Sequence, residues 1–466
     1  MAKKLIVVYD DTRKPNSRVR SITGGKSFGE TIYKRVTLKE RMKNYFESNE
    51  EVLVFVDSVN ARQIEKYNDT PVILMYSDFV VSDEEGMKIL ITKALYAHEN
   101  YKVVVNDKVA CVIYCDVDEY LKGANGGADA YNAIRTECLN DISDVMSFRQ
   151  FITGGFEARF FNSLSGDMYT VNKSSDKIDK IKAEYTFYSL LPEEMKPWFV
   201  MPYNYREDEN KATYSMQRYN MTDLAIRYVH GAISVDECDK LLDMLFYFLK
   251  QRVQKQVTHE EYERVAHDLY VKKVLDRIEQ LKITDGFTQL EDLIRTQTGY
   301  SGIDAVVAEY IELYERIRAE HKFMDVHVVG HGDLCFSNIL YSDEISLVKL
   351  IDPKGAMSED DIYTDPYYDM AKLSHSICGH YDFYNSDRYE IMLDDELKAH
   401  LIVDADNRPY VELFKNKLSE NGVDFKLIRI YEASLFLSML PLHMDRPKKV
   451  FAFVLNAIAI IKSLEN

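Results

Sequence analysis

The sequence predicts a two-part chain: an α/β domain with a largely parallel sheet over residues 1–125, then an α+β part whose C-terminal portion is mainly helical. Three observations predict it. Over the first 120 residues, short β-branched runs ("KLIVVYD", "EVLVFVDS", "PVILMYSDFVV", "YKVVVND", "VACVIYCDVDEY") alternate with helical patterns such as "SFGETIYKRVTLKERMKNYFES". The stretch "LKGANGGADA" at 121–130 breaks that rhythm with three glycines and reads as a linker. From about 222 to 322, segments such as "CDKLLDMLFYFLKQRVQKQ" and "IDAVVAEYIELYERIRAEH" carry apolar residues at i, i+3, i+4 and i+7, the helical period.

Between linker and helices lies a smaller mixed region. "FRQFITGGFEARFFNS" reads as a hairpin turning at Gly154 and Gly155, "GDMYTVNKSS" as a further strand, and "DKIDKIKAEYTFYSLLP" as a helix. This divides the second part into residues 141–221 and 222–466. With 466 residues, 46% of them apolar and 29% charged, each part can bury a core. The net charge of -18 argues against nucleic acid as a partner. The apolar run in "MAKKLIVVYDD" is too short for a secretory signal, and no run reaches the length of a membrane span, so a cytoplasmic location is expected. Six cysteines without a C-x-x-C pair read as free thiols, with neither disulfide nor zinc expected.

One segment carries chemistry: "VVGHGDLCFSNILYSDEISLVKLIDPKG", residues 328–355. Two apolar runs read as strands, and His331, Asp333, Asn338 and Asp352 all fall at their ends. An aspartate, an asparagine five positions on and a second aspartate after the next strand supply the few oxygen ligands that Mg²⁺ accepts while leaving room for phosphate oxygens. Phosphoryl transfer needs such a site, because its catalysis is mostly positioning and charge neutralisation.

"HGDLCFSNIL" followed by "LVKLIDPKG" resembles the catalytic loop and metal-binding strand of the aminoglycoside phosphotransferase and choline kinase family, small-molecule relatives of protein kinases. The resemblance covers about residues 145–466 and implies a bilobal, protein-kinase-like fold, with an N-lobe at 141–221 and a helical C-lobe at 222–466. It implies ATP and Mg²⁺ as cofactors, Asp333 as catalytic base, Asn338 and Asp352 as Mg²⁺ ligands, and His331 as a support of the loop. "DPYYDMAKLSHSI" resembles the family's downstream helix, in which Asp369 would brace that loop. Upstream, the same resemblance implies Gly154 and Gly155 over the nucleotide, Lys173 on its phosphates, Glu184 pairing with that lysine, and Met216 at the hinge beside the base. Only eleven residues separate Lys173 from Glu184, and Lys177, Lys180 and Lys182 remain alternatives for the phosphate lysine. His375, His380 and Tyr381 read as core or surface residues rather than acceptor ligands.

The first domain, with "ITGGKSFGETIYKRV" and "VILMYSDFVVSD", loosely resembles a Rossmann-like or nucleotidyltransferase-like sheet of the kind found in sugar-nucleotide nucleotidyltransferases. The glycine-rich phosphate cradle that should follow its first strand is replaced by "DDTRKPNSRVRS", which points to a degenerate binding or assembly domain. Asp116 and Asp118 in "YCDVDEY" form a D-x-D pair that could hold a metal, as in glycosyltransferases, or recap the nucleophile pair of haloacid dehalogenases. The expected function is ATP- and Mg²⁺-dependent phosphorylation of a hydroxyl on a sugar, polyol or amino alcohol, in surface or capsular polysaccharide precursor synthesis. The alternatives are a non-catalytic kinase-like nucleotide-binding scaffold and a bifunctional kinase/nucleotidyltransferase. No D-F-G or A-P-E segment supports a protein kinase.

Overall fold

The computed structural model describes residues 3–123, 130–153, 163–167 and 169–465. The chain divides into two compact units. Unit 1 comprises Met1–Phe156 and His230–Ala232, and unit 2 comprises Glu157–Val229 and Ile233–Asn466.

Unit 1 is built on β1 (Leu5–Asp10), flanked by α1 (Ser17–Thr23) and α2 (Leu38–Glu47), then β2 (Val52–Asp57), β3 (Val72–Tyr76), β4 (Phe79–Val81), α3 (Glu84–Leu95), β5 (Tyr101–Val105), β6 (Lys108–Tyr114), α4 (Val117–Gly123), β7 (Asn132–Arg135), β8 (Leu139–Asp141) and α5 (Val145–Ile152). The six-stranded sheet runs β2-β1-β3-β6-β5-β7. Leu5, Val7 and Tyr9 pack on one face while Ile6 and Val8 pack on the other, so this uninterrupted apolar run is a strand buried on both sides.

The structure refines the expected sheet and corrects three other expectations here. The sheet is mixed: three of its five pairings are parallel, β1 with β2 and β3 and β5 with β7, while β6 runs antiparallel to β3 and β5. The reason is the turn at Asn106 and Asp107, both at positive φ, which closes a tight hairpin where a crossover helix would be needed to keep the strands parallel. The helix expected across "SFGETIYKRVTLKERMKNYFES" begins only at Leu38, where Thr37 and Glu40 form a capping box; a two-residue hairpin, Ile32–Tyr33 with Val36–Thr37, precedes it. The first unit also extends beyond the glycine stretch, because β7 pairs with β5 and β8 with β4. Phe148 and Phe151, expected in a strand of the next region, lie on α5, with rings against Phe28 and Tyr33.

Unit 2 opens with an antiparallel four-stranded sheet, ordered β9 (Ser163–Gly166), β10 (Thr170–Ser175), β12 (Ala212–Gln217), β11 (Pro202–Glu207). Helix α6 (Ile178–Leu190) follows β10 after two residues and lays Ile181 against Ala212 and Tyr214. The remainder is mainly helical: α7 (Leu224–Val229), α8 (Val235–Gln251), α9 (His259–His267), α10 (Lys273–Lys282), α11 (Phe287–Gln297), α12 (Ile303–Ala319), then three short strands, β13 (Val326–Val329), β14 (Ile339–Ser342) and β15 (Leu347–Leu350). It ends with α13 (Tyr368–Ile377), α14 (Tyr381–Asn385), an antiparallel hairpin of β16 (Tyr389–Leu393) and β17 (Ala399–Val403), α15 (Arg408–Glu420), α16 (Phe425–Met439) and α17 (Pro447–Glu465). This is the sheet-plus-helical arrangement that the sequence resemblance implies. Its core gathers apolar faces of α10, α12, α13, α16 and α17 around Tyr270, Tyr310 and Tyr431. Among the described residues no helix is long and apolar enough to cross a membrane.

Candidate functional site

The polar segment falls where three short strands meet the helical part. β13 ends at Val329, and the chain passes through Gly330–Asn338 before β14; β14 and β15 then form a hairpin that delivers Asp352. Backbone bonds stitch the two loops together: Lys354 N–H donates to His331 O at 2.9 Å and Ile351 N–H donates to Asn338 O at 3.0 Å. His331 is fully buried and ties the same two loops with its ring. Its Nδ1 accepts from Asp333 N–H at 3.2 Å, which puts the proton on Nε2, donating to Ile351 O at 2.9 Å. Burial holds its pKa below the usual histidine range, so the ring stays neutral and keeps both bonds.

Asp369, on the first turn of α13, is also fully buried. Its carboxylate accepts from His331 N–H and Gly332 N–H, both at 2.9 Å, and from the Arg252 guanidinium at 3.2 Å. Arg252 in turn donates to the carbonyls of Leu249 and Pro366. A buried anion thus holds the start of the loop through its backbone. Gly332 sits at φ +77°, and a Cβ there would lie 2.6 Å from Lys354 Cβ, so the close approach of the two loops requires glycine.

Asp333 projects from this frame with its side chain 43% exposed. Asn338 Nδ2 donates to its carbonyl at 2.8 Å and to Oδ2 at 3.1 Å, while Lys372 Nζ lies 2.9 Å from Oδ1. Burial pushes the Asp333 pKa up, but Lys372 and Asn338 outweigh it and hold the carboxyl below its ordinary value.

On the other side, Asp352 occupies left-handed backbone at φ +54°, an uncommon state for a non-glycine residue and especially one preceding proline. What fixes it there is the next turn: Gly355 packs on the backbone of Ala183, and Ala356 N–H donates to Ala183 O at 3.0 Å, clamping this loop to α6 one residue from Glu184. Glu184 shares the buried face of α6 with Ile181 and Phe187. Its Oε2 meets Lys173 Nζ at 2.7 Å and accepts from Tyr214 OH at 3.2 Å, and the same Nζ lies 2.9 Å from Asp352 Oδ1. Burial alone would lower the Lys173 pKa, but the two carboxylates outweigh it and keep the ammonium charged. Of the four candidate lysines, Lys173 is the one drawn into this cluster; Lys180 reaches only to 3.7 Å from Glu184, and Lys182 pairs with Glu207.

Glu184, Asp333, Asn338 and Asp352 line one open cleft of about 880 Å³ within unit 2. Met216, near the end of β12, borders a small adjoining space with Phe199, Val200 and Leu350. Gly154 and Gly155 lie outside the described residues. The D-x-D pair of unit 1 is divided by a helix start: Asp116 Oδ1 accepts Glu119 N–H at 2.8 Å, which makes it the cap of α4. Sequence reasoning missed Lys372 and Arg252. Lys372 was within reach, being three residues beyond Asp369 and therefore one helical turn along the same face; Arg252 lies 117 residues from its partner and carries no local signal. His375 is the buried core residue expected, but Tyr381, on which it stacks at 4.1 Å, lines the cleft.

No family model and no curated protein matches this chain. Among solved structures it is similar to a thermostable mutant of aminoglycoside phosphotransferase APH(4)-Ia in a ternary complex with ADP and hygromycin B, at 12% identity and TM-score 0.37, covering 63% of this chain and 86% of that one. It is also similar to aminoglycoside phosphotransferase APH(3'')-Id from Streptomyces rimosus in complex with ADP and streptomycin, at 17% identity and TM-score 0.34, over 60% of this chain and 89% of that one. A third is a protein from Haemophilus somnus described as a fructosamine-3-kinase, at 10% identity and TM-score 0.35, over 66% and 88%.

Proposed function

We propose that unit 2 is an ATP- and Mg²⁺-dependent phosphotransferase that phosphorylates a hydroxyl of a small molecule. The observation that carries this reading is the buried Lys173 ammonium held between Glu184 and Asp352, two carboxylates that line one cleft with Asp333 and Asn338. A charged lysine paired with a helix glutamate and set against a strand-end aspartate is what a nucleotide triphosphate requires. Lys173 donates to the phosphates; Glu184 fixes where its Nζ stands; Met216 borders the base. Asp333 accepts the proton of the acceptor hydroxyl as that oxygen forms its bond to the γ-phosphorus and the bond to the ADP oxygen breaks. His331 and Asp369 hold the loop that presents Asp333.

The donor set suits Mg²⁺. Asn338 turns its Nδ2 to Asp333, which leaves Oδ1 as a ligand, and Asp352 spends one oxygen on Lys173. Among the described residues no group of three or more His, Cys, Asp or Glu could hold a metal ion, so Mg²⁺ on Asn338 and Asp352 would need phosphate oxygens and water to complete its ligands. When bound, Mg²⁺ supplies charge neutralisation between the phosphates. The test is ADP formation against a panel of hydroxyl compounds, with Asp333→Asn as control. That variant should keep MgATP affinity and lose turnover on the order of a hundredfold or more. Equal turnover by Asp333→Asn would remove Asp333 as base. A protein that binds MgATP yet phosphorylates nothing would instead be a nucleotide-binding scaffold.

A further inference from the structure

Beyond Asp333 the cleft is walled by one continuous helical run, α9 and α10 joined through a π-helical turn at Asp268–Lys272. Asp268, Lys272, Lys273, Asp276, Arg277 and Gln280 all reach the cleft from it, at spacings that describe a single face. π turns are rare and tend to mark functional positions. Here the turn lies where the wall begins.

The charges on this wall are not balanced. Both of its acids are already engaged, Asp268 by Arg264 at 3.2 Å and Asp276 by Lys272 at 2.5 Å. Lys273 and Arg277 have neutral partners instead: Lys273 Nζ donates to Tyr368 OH at 3.1 Å, and Arg277 Nη1 donates to Gln280 Oε1 at 2.7 Å. Neither forms an ion pair with a carboxylate among the described residues. Tyr368 lies between Lys273 and Lys372, and the two ammonium groups outweigh its burial to lower the phenol pKa. Cations therefore run from the Asp333 carboxylate outward: Lys372, then Lys273, then Arg277. In a chain of net charge -18 this is a local choice rather than a consequence of composition.

We propose, resting on the phosphotransferase reading above, that the acceptor is an anionic hydroxyl compound whose phosphate or carboxylate is held by Lys273 and Arg277 while its hydroxyl faces Asp333. A cationic amino alcohol would meet an ammonium and a guanidinium on this wall, and the only acids there are already paired. An anion gains charge-assisted hydrogen bonds, and the guanidinium offers a two-pronged donor to either anion. In the reaction the γ-phosphoryl passes to the hydroxyl oxygen, the hydroxyl proton goes to Asp333, ADP leaves, and the acidic group of the acceptor stays unchanged.

The test uses the full chain with MgATP and four probes: glycerol 3-phosphate, glycerate, glycerol and ethanolamine. ADP formation is measured alongside calorimetric binding of each probe in the presence of MgADP. The acidic probes should bind and turn over about tenfold or more better than glycerol or ethanolamine, and the phosphate and carboxylate arms tell which acid is preferred. Arg277→Gln and Lys273→Gln should each raise the acceptor KM about tenfold and the MgATP KM by less than about twofold, with Arg277→Lys recovering part of the loss. Equal or better use of glycerol or ethanolamine would overturn the proposal while leaving the kinase reading intact. So would variants that raise the MgATP KM as much as the acceptor KM, since the cations would then serve the nucleotide. Charge-selective binding that depends on Arg277, with no turnover of any probe, would support the anion site and count against phosphoryl transfer. Absence of both selective binding and turnover overturns the proposal.

Discussion

Replacing Asp369 with asparagine tests whether the candidate loop is held by a buried anion. Three donors converge on this carboxylate: the Arg252 guanidinium and the N–H groups of His331 and Gly332. The ion pair is sealed, with side-chain exposures of 2% for Arg252 and 0% for Asp369. Asparagine keeps the shape but offers one acceptor oxygen, turns an N–H₂ toward a donor, and leaves the guanidinium without its counter-charge. Removing one partner of a buried pair costs about 3–5 kcal/mol, a large part of the ~5–15 kcal/mol that stabilises a typical domain. Arg252→Met should cost a similar amount, since it strands the anion. The double variant strands neither charge, so the two losses should fall short of additivity by about 2 kcal/mol. Urea denaturation read by tryptophan fluorescence suits the measurement, because the sole tryptophan, Trp198, belongs to unit 2, with its ring 5.3 Å from that of Phe248. Single losses below ~1 kcal/mol with an additive double variant would refute the reasoning.

On the proposed role of Asp352 as a Mg²⁺ ligand, Asp352→Ala should abolish Mg²⁺-dependent nucleotide binding, and it also removes one of the two carboxylates on Lys173; unchanged MgATP affinity by calorimetry would contradict this. Lys372→Met removes the largest of the interactions that offset the upward push of burial on Asp333, leaving Asn338 to oppose it. A base acts deprotonated, so the acid limb of kcat/KM should move to higher pH, and an unmoved limb would mean that Lys372 does not set the charge of Asp333. Asp382, on α14, is 2% exposed, and burial pushes its pKa up to about 7. A raised pKa means the folded state holds the proton more tightly, so this carboxyl contributes stability that is full below about pH 4 and is lost as pH rises toward 7. Asp382→Asn should flatten that decline in urea midpoints across the same range; an unchanged slope would rule Asp382 out as its source.

The parts of the site legible in sequence are those that a few consecutive residues bring together. Asp333 and Asn338 are five apart on one loop, and Asp352 follows after a two-strand hairpin, so local geometry alone converges them. Lys173 and Glu184 were readable despite their short separation because β10 runs into α6 after two residues, and the buried face of that helix points back at the strand. What escaped is what depends on packing between distant helices. Nothing local to Arg252, at the end of α8, indicates a partner on α13. The cationic face of α9–α10 has an ordinary amphipathic pattern, and only the cleft shows which of its lysines look inward. The mixed sheet of unit 1 escaped for a similar reason, since a two-residue turn and a crossover leave nearly the same alternation of apolar runs.

The loop after β1 illustrates how the residues of unit 1 bear on its own role. A phosphate cradle works by presenting unpaired backbone N–H groups to an anion. Here Asp11 already takes Gly29 N–H at 3.0 Å and the Ser27 hydroxyl at 2.5 Å, while Asn16 accepts Arg18 N–H and Val19 N–H as the cap of α1. The donors that a triphosphate would need are satisfied from within the loop, partly by a carboxylate that would repel it. Arg13 is drawn off too: its guanidinium bonds Asp78 at 3.1 and 3.2 Å, donates to Val109 O and lies over the Tyr76 ring. Arg13 cannot neutralise a phosphate without leaving Asp78, 6% exposed, as a buried unpaired acid. The loop is therefore closed upon itself, its donors and its arginine engaged by side chains of unit 1.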